Sequence, residues 1–388
     1  MIYRCLIIFF TVILFKILCL GQTPNMEHLK QKISAAKTGD EKLEYILLLC
    51  EERQSLSTDT LFHYASEAKS LAALQNNQRN ISLAEYDIAF CLSKREKADS
   101  ALYIIEKILL LYKNDNHNKD LYLKFEMLKT RVLDRDNKPL ETLAALYKLL
   151  NEAEQLKDTL TQIMAKTGIG WIQLEMKQYK EALGWFQNAL HTSDNPKLLR
   201  NYGAVYSNIA LVYNAMGKND SAEIYIRRAI QLCRESETLT FLATSLNIQA
   251  NIFINTGKQK AAEESLKVAL SIREKINDPY YIIPDMVQLA LFYANTGQTQ
   301  QGITLCNNGI QFGRDKQLYS KLPELYSALA ENYKAAGSNA KYAETLSALI
   351  SLKDSIYTIN SAQAVAEMQT KYDLQKKEML LFNRSLTW

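Results

Sequence analysis

The sequence predicts an all-α fold: a solenoid of about eight stacked helical hairpins followed by a long C-terminal helix. Three observations carry this. Roles recur every 40 residues: Gly217, Gly257, Gly297 and Gly337; Tyr213, Phe253, Tyr293 and Tyr333; Ala210, Ala250, Ala290 and Ala330, with Gly170 one period earlier. A fixed period of this length marks supersecondary units that stack on one another. Gly (13) and Pro (6) are scarce among 388 residues, which leaves little material for long loops. Finally, Tyr206–Ala229 reads as two amphipathic helical segments joined at Met216–Asn219, and neither can bury its apolar stripe alone.

Each recurring role has a physical reason. The glycine stands where two antiparallel helices turn, where a positive φ costs little only for Gly. The small residue of the first helix, and Ala182, Ala222 and Ala262 of the second, let the two helices approach closely. The aromatic at the end of the first helix is expected to fill the gap between neighbouring units.

In chain order, residues 1–21 read as an export signal: Arg4 begins it, Cys5 to Leu20 is apolar apart from Lys16, and Gly21 offers a cleavage site before Gln22. The run is short for a spanning helix and broken by a charge, which favours cleavage and export to the periplasm over an uncleaved anchor. Leu18 stands where a lipoprotein signal wants a small residue before its cysteine. No other stretch approaches membrane-spanning length. Residues 22–40 are a polar lead and a capping helix (His28–Ala36). Residues 41–160 hold three degenerate pairs: Lys42–Glu52 with Leu61–Leu74, Ile81–Ser93 with Ser100–Leu111, and Leu121–Leu133 with Leu140–Leu156. Residues 161–358 carry the regular pairs, beginning near Thr161, Asn201, Phe241, Tyr281 and Lys321. Connectors such as Ser193–Pro196 and Asn277–Pro279 supply the breakers, and no internal domain boundary is evident. Residues 361–388 differ. Val365, Met368, Tyr372, Gln375, Met379 and Phe382 alternate steps of three and four, a coiled-coil seam through which a homodimer can form; a capping helix folded on the last pair is the other reading.

The chemistry of catalysis is missing. His28, His63, His117 and His191 show no metal-ligand spacing with one another or with cysteine. Cys50, Cys91, Cys233 and Cys306 form no CxxC and read as buried single thiols. Gly168–Gly170 lacks the rest of a phosphate loop, and no Gly-x-Ser-x-Gly occurs. Carboxylates are plentiful and are expected on solvated helix faces. The formal net charge is only +4, and loss of residues 1–21 removes Arg4 and Lys16. Such a chain has no field to gather nucleic acid or an acidic membrane. The expectation is a protein that is not an enzyme, binds no cofactor or metal, and engages a protein or peptide.

The repeating pattern resembles the tetratricopeptide repeat. One unit reads Tyr206, Ile209, Ala210, Tyr213, Ala222, Ile226 and Ala229; the next reads Leu246, Ala250, Phe253, Ala262, Leu266 and Ala269, with Gln249 in place of the usual leucine. The seventh unit departs, with Gly302, Cys306 and Gly309 in its second helix, and the eighth places Tyr342 at the small position. The usual period of that family is about 34, so 40 implies longer helices or loops. The resemblance implies a right-handed superhelix whose first helices line a concave groove. On that mapping Trp171, Asn214, Asn247, Asn251, Asn255 and Asn295 face a ligand. Amides can pair with a peptide backbone, and Trp171 can anchor an apolar side chain. Asn247 stands where a carboxylate-gripping subtype has lysine, so that clamp is not expected.

A narrower resemblance lies near the end. Lys353–Asp354–Ser355, Lys371–Tyr372 and Lys376–Lys377–Glu378 look like the junction of exported bacterial sensors of this repeat family. In those proteins a coiled coil, a transmembrane helix and a histidine kinase or helix-turn-helix output follow. The resemblance implies a periplasmic input module whose output part lies beyond Trp388; a free-standing exported scaffold is the alternative.

Overall fold

The computed structural model describes residues 24–53, 55–136, 138–195 and 198–359. The expected export signal and the seam expected at residues 361–388 lie outside them. All the regular structure described is helical. A lead helix, α1 (Pro24–Ala35), precedes α2 (Gly39–Glu51), α3 (Thr58–Leu74), α4 (Gln78–Lys94), α5 (Ala98–Tyr112), α6 (Lys119–Arg135), α7 (Pro139–Gln155), α8 (Thr159–Glu175) and α9 (Tyr179–Leu190). Then come α10 (Leu199–Ala215), α11 (Asn219–Glu235), α12 (Leu239–Asn255), α13 (Gln259–Ile276), α14 (Pro279–Asn295), α15 (Thr299–Asp315), α16 (Leu322–Ala335) and α17 (339–359). The all-α solenoid expected from the sequence is the fold observed.

The 40-residue period has a simple origin. Helices α10, α11 and α12 are each 17 residues long and are separated by three-residue turns, so two helices and two turns fill one period. The extra length over a shorter repeat is therefore in the helices. Gly217, Gly257, Gly297 and Gly337 close the first helices at φ of +72°, +73°, +77° and +69°. At Gly217 the turn is a Schellman cap: Lys218 N–H donates to the Tyr213 carbonyl at 2.9 Å and Gly217 N–H to that of Asn214 at 3.0 Å. One period earlier the same cap is built on Lys177, at φ +61°, with Gln178 N–H bonded to the Gln173 carbonyl. The opposite turns also use a left-handed residue, Lys157, Glu237, Asn277 or Gln317, at φ between +51° and +58°.

The chain divides into two compact units, up to Asp285 and from Met286 onward, and the division falls inside α14 rather than in a connector. Repeat stacks touch mainly their neighbours, so no special linker is needed for such a division. In the first unit one buried cluster runs from Met26 to Ile172, and two others, sharing Tyr206, Tyr213 and Tyr225, cover α8–α13. Ala182, Ala210, Ala222, Ala229, Ala250 and Ala262 are all fully buried. Gly170 is demanded by packing: a Cβ there would lie 2.7 Å from the Phe186 ring. Tyr213, the recurring aromatic, packs against both of the latter clusters, which reach into the units before and after its own. Tyr213 stacks on Tyr225 of its own second helix, ring centroids 5.3 Å apart, because both rings reach the same edge of the hairpin.

In the second unit the departures at Gly302 and Gly309 are explained by their neighbours. A Cβ at Gly302 would overlap the amide of Asn332, which is fully buried and donates to the Ala290 and Ala328 carbonyls at 2.9 Å. A Cβ at Gly309 would sit 2.7 Å from Leu325.

Candidate binding surface

The second helix of each hairpin covers one side of the first, leaving a face of the first helix free of it. In the first unit this face runs along α8, α10 and α12. Trp171 on α8 is half-buried against the core, and its indole donates to Glu175. Asn251, two periods along at the same register, is half-buried on α12. Asn214 and Asn255 are brought together: Asn255 Nδ2 donates to Asn214 Oδ1 at 2.9 Å across α10 and α12. Asn247 is drawn elsewhere, its Nδ2 donating to Asp285 Oδ1 at 2.7 Å. Asn295 belongs to the second unit and is exposed. That unit also holds a shallow cavity of about 360 Å³ lined by Leu289, Tyr293, Gln300, Gln301, Thr304, Leu305 and Asn308.

The expectation that carboxylates lie on solvated faces is corrected by the structure. Glu85, Asp87, Glu126, Asp278 and Asp285 are all buried. Each is tolerated because another element brings a cation to it: Lys69 and Lys107 to Glu85, Arg53 to Asp87 at 2.6 Å, Lys148 to Glu126 at 2.7 Å, Lys94 to Asp278 at 2.5 Å, and Arg273 to Asp285 at 3.4 Å. Burial nevertheless pushes Asp87 above the usual carboxylate range and Asp285 up to about 6, although Arg53 and Arg273 act against it.

The last two pairs belong to one assembly that sequence reading missed. Lys94 ends α4, and Asp278 immediately precedes α14, 184 residues away. Thr58, at the start of α3, donates to the other Asp278 oxygen at 3.2 Å. The Lys94 ammonium lies 5.0 Å from the centre of the Tyr281 ring and 4.8 Å from that of Phe90. Arg135, at the end of α6, bonds Ser93 and lies 5.3 Å from the Phe90 and Tyr280 rings. Arg273 packs 4.6 Å from Tyr281 and donates to Thr244 Oγ1 at 2.7 Å. Burial pushes the Tyr281 hydroxyl up, but Arg135 and Lys94 outweigh it and leave it below its ordinary range. The sequence signal for this site was a lysine and an arginine at the ends of amphipathic helices, which local periodicity assigns to solvent.

Nothing else described is arranged for chemistry. The four histidines are exposed. Among the described residues the four cysteines are free and buried, and desolvation pushes the Cys91 and Cys306 thiols up to about 12, which keeps them protonated and unreactive. Among the described residues no group of three or more His, Cys, Asp or Glu is placed to hold a metal ion, and no helix is long and apolar enough to cross a membrane.

Residues 201–275 match the family model of the tetratricopeptide repeat. The fold is a tetratricopeptide-repeat solenoid. Among solved structures it is similar to a Rap protein complexed with Competence and Sporulation Factor, with a TM-score of 0.53 and 14% identity over 85% of this chain and 98% of that one. It is similar also to NprR in complex with its cognate peptide NprX, at 0.52 and 15% over 79% and 88%. Aspartyl phosphate phosphatase F from Bacillus subtilis aligns at 0.51 and 18% over 84% and 88%. No curated protein sequence matches the chain. At these identities the likeness is one of fold.

Proposed function

We propose that this chain is an exported, periplasmic peptide- or protein-binding module that serves as the sensory part of a signal-transduction protein. The observation that carries the binding reading is the first-helix face of α8, α10 and α12. There Trp171, Asn251 and the Asn214–Asn255 pair lie outside the hairpin interior, at related registers of one repeat. Such a row offers an aromatic anchor and amides that both donate and accept toward an extended backbone. That NprR was solved in complex with its cognate peptide NprX supports the capacity of this fold for such a ligand. Export rests on residues 1–21, and the sensory role on the junction resemblance around Lys353–Ser355 and Lys371–Glu378.

The test is to pan the full chain against a displayed library of random peptides and then measure the captured peptides on variants. Trp171→Ala and Asn251→Ala are each expected to weaken binding about tenfold, about 1.4 kcal/mol, with far-UV circular dichroism unchanged. Undiminished affinity of every captured peptide removes this face as the binding surface. For the sensory role, the mass of the mature chain with and without residues 361–388 is decisive. A dimer that dissociates on truncation is expected; a monomer in both cases removes the signalling helix.

A further inference from the structure

Helical repeats normally contact only the units beside them. The Asp278 contacts break that rule: they join the ends of α3 and α4 to the start of α14, 220 and 184 residues along. We propose that Lys94, Arg135 and Arg273, closed on Asp278, Tyr280, Tyr281 and Asp285, form a reversible latch that holds the first unit shut on itself and gates ligand entry to the first-helix face. The gating clause rests on the proposed reading of that face; the latch itself does not.

Three features distinguish a latch from ordinary core. It is made of long side chains reaching from helix ends rather than of interlocked apolar surface. Lys94 and Arg273 are 3% and 2% exposed, so both charges lose their solvation only while the contact is closed. The segment that carries the other half is loosely tied to its own helix. Pro284 lies inside α14 and has no N–H for the carbonyl of Tyr280, so the first turn, with Tyr280 and Tyr281, is one hydrogen bond short. The closed state also leaves buried polar atoms unmatched: among the described residues Nη1 of Arg273 and Oδ1 of Asn247 have no hydrogen-bond partner, and Arg273 Nε meets Asp285 Oδ2 only as a 3.4 Å ion pair. Such atoms cost free energy, so the closed form is held against a standing penalty.

The unmatched atoms connect the latch to the binding face. Asn247 lies on the first helix α12 and bonds Asp285; Asp285 pairs with Arg273; Arg273 and Lys94 share the Tyr281 ring; and Lys94 holds Asp278. The unused donor Nη1 of Arg273 and the unused acceptor Oδ1 of Asn247 are what a peptide backbone, with its alternating N–H and C=O groups, can satisfy. A peptide engaging Asn247 therefore competes with Asp285 and loosens the grip on Tyr281. Among the described residues the other charged groups facing the cluster are Glu96 and Asp134, beside Tyr280, and Asp87 and Arg95, beside Cys91.

The test uses the full chain without ligand, so that it stands apart from the binding reading. Nitroxide labels at Lys97 and Glu274, both exposed, report the distance between the two halves by pulsed electron resonance. The unaltered latch is expected to give a single short-distance population. Asp278→Asn, which keeps the side-chain shape, and Lys94→Met are each expected to lose that population while helicity is retained. The exchanged pair Lys94→Asp with Asp278→Lys is expected to restore it. Retention of the short distance in both single variants, or failure of the exchanged pair to restore it, overturns the latch. With the latch established, a peptide captured on the first-helix face is expected to bind Asp278→Asn with a faster association rate; an unchanged rate overturns the gating.

Discussion

The helix pairs α2–α7 and the pairs from α10 to α13 build the same hairpin from different materials. In α10–α13 up to Leu270 the buried polar residues are hydroxyls, and Ser207 and Ser245, 38 residues apart, satisfy one another at 2.6 Å. In α2–α7 the first helices bury charge: Glu85, Asp87 and Lys94 on α4, and Glu126 on α6. A regular repeat can propagate only contacts that complement their own copies. A buried carboxylate cannot face another carboxylate, so each one requires a partner that the next unit does not repeat. The degenerate half is thus degenerate where it has taken on individual ion pairs, one of which is the contact with Asp278.

This contrast can be broken most sharply in the regular part. Phe186→Ala removes a fully buried ring that fills the space left by Gly170, and should lower stability by about 3–5 kcal/mol in chemical denaturation. In the charged part, Arg53→Met strands the buried Asp87 carboxylate and should cost about 3 kcal/mol, while Arg53→Met with Asp87→Leu should recover most of it; equal losses in the single and double variants would show that the pair is not what holds α2 to α4. Asp285 provides a titration. Its folded-state value, pushed up to about 6, lies above that of the unfolded chain. Its contribution is therefore complete below the unfolded value near 4 and is lost as pH rises through about 6, on the order of 1–3 kcal/mol. Asp285→Asn should flatten the stability–pH curve between those limits. The turns give the smallest effects. Gly217→Ala places a Cβ at φ +72° and should cost about 1 kcal/mol. Lys177→Gly, at the equivalent left-handed position, should stabilise by about 0.5 kcal/mol, the relief of strain being partly offset by a freer unfolded chain.

The hairpins of the regular half were readable because their causes are local. A turn glycine, an alanine at each close approach and an apolar stripe all act within one period. The same logic recovers Gly170 through Phe186, 16 residues on. It fails for Asn332, whose intrusion explains Gly302 only once the facing helix is in place. Of the amides assigned to the binding face, Asn214 and Asn255 stand 41 residues apart and meet, whereas Asn247 is taken by Asp285, in the register by which Ser207 meets Ser245 one period earlier.

Periodicity alone thus contains the helices, their lengths and the turns between them, because 3.6-residue spacing and left-handed caps are properties of neighbouring residues. It does not contain the meeting of Lys94 with Asp278. Small rotations from one hairpin to the next accumulate over many units before those two residues come together. No pattern within a single unit records that sum, and only the folded superhelix turns two unremarkable charges at helix ends into a buried pair.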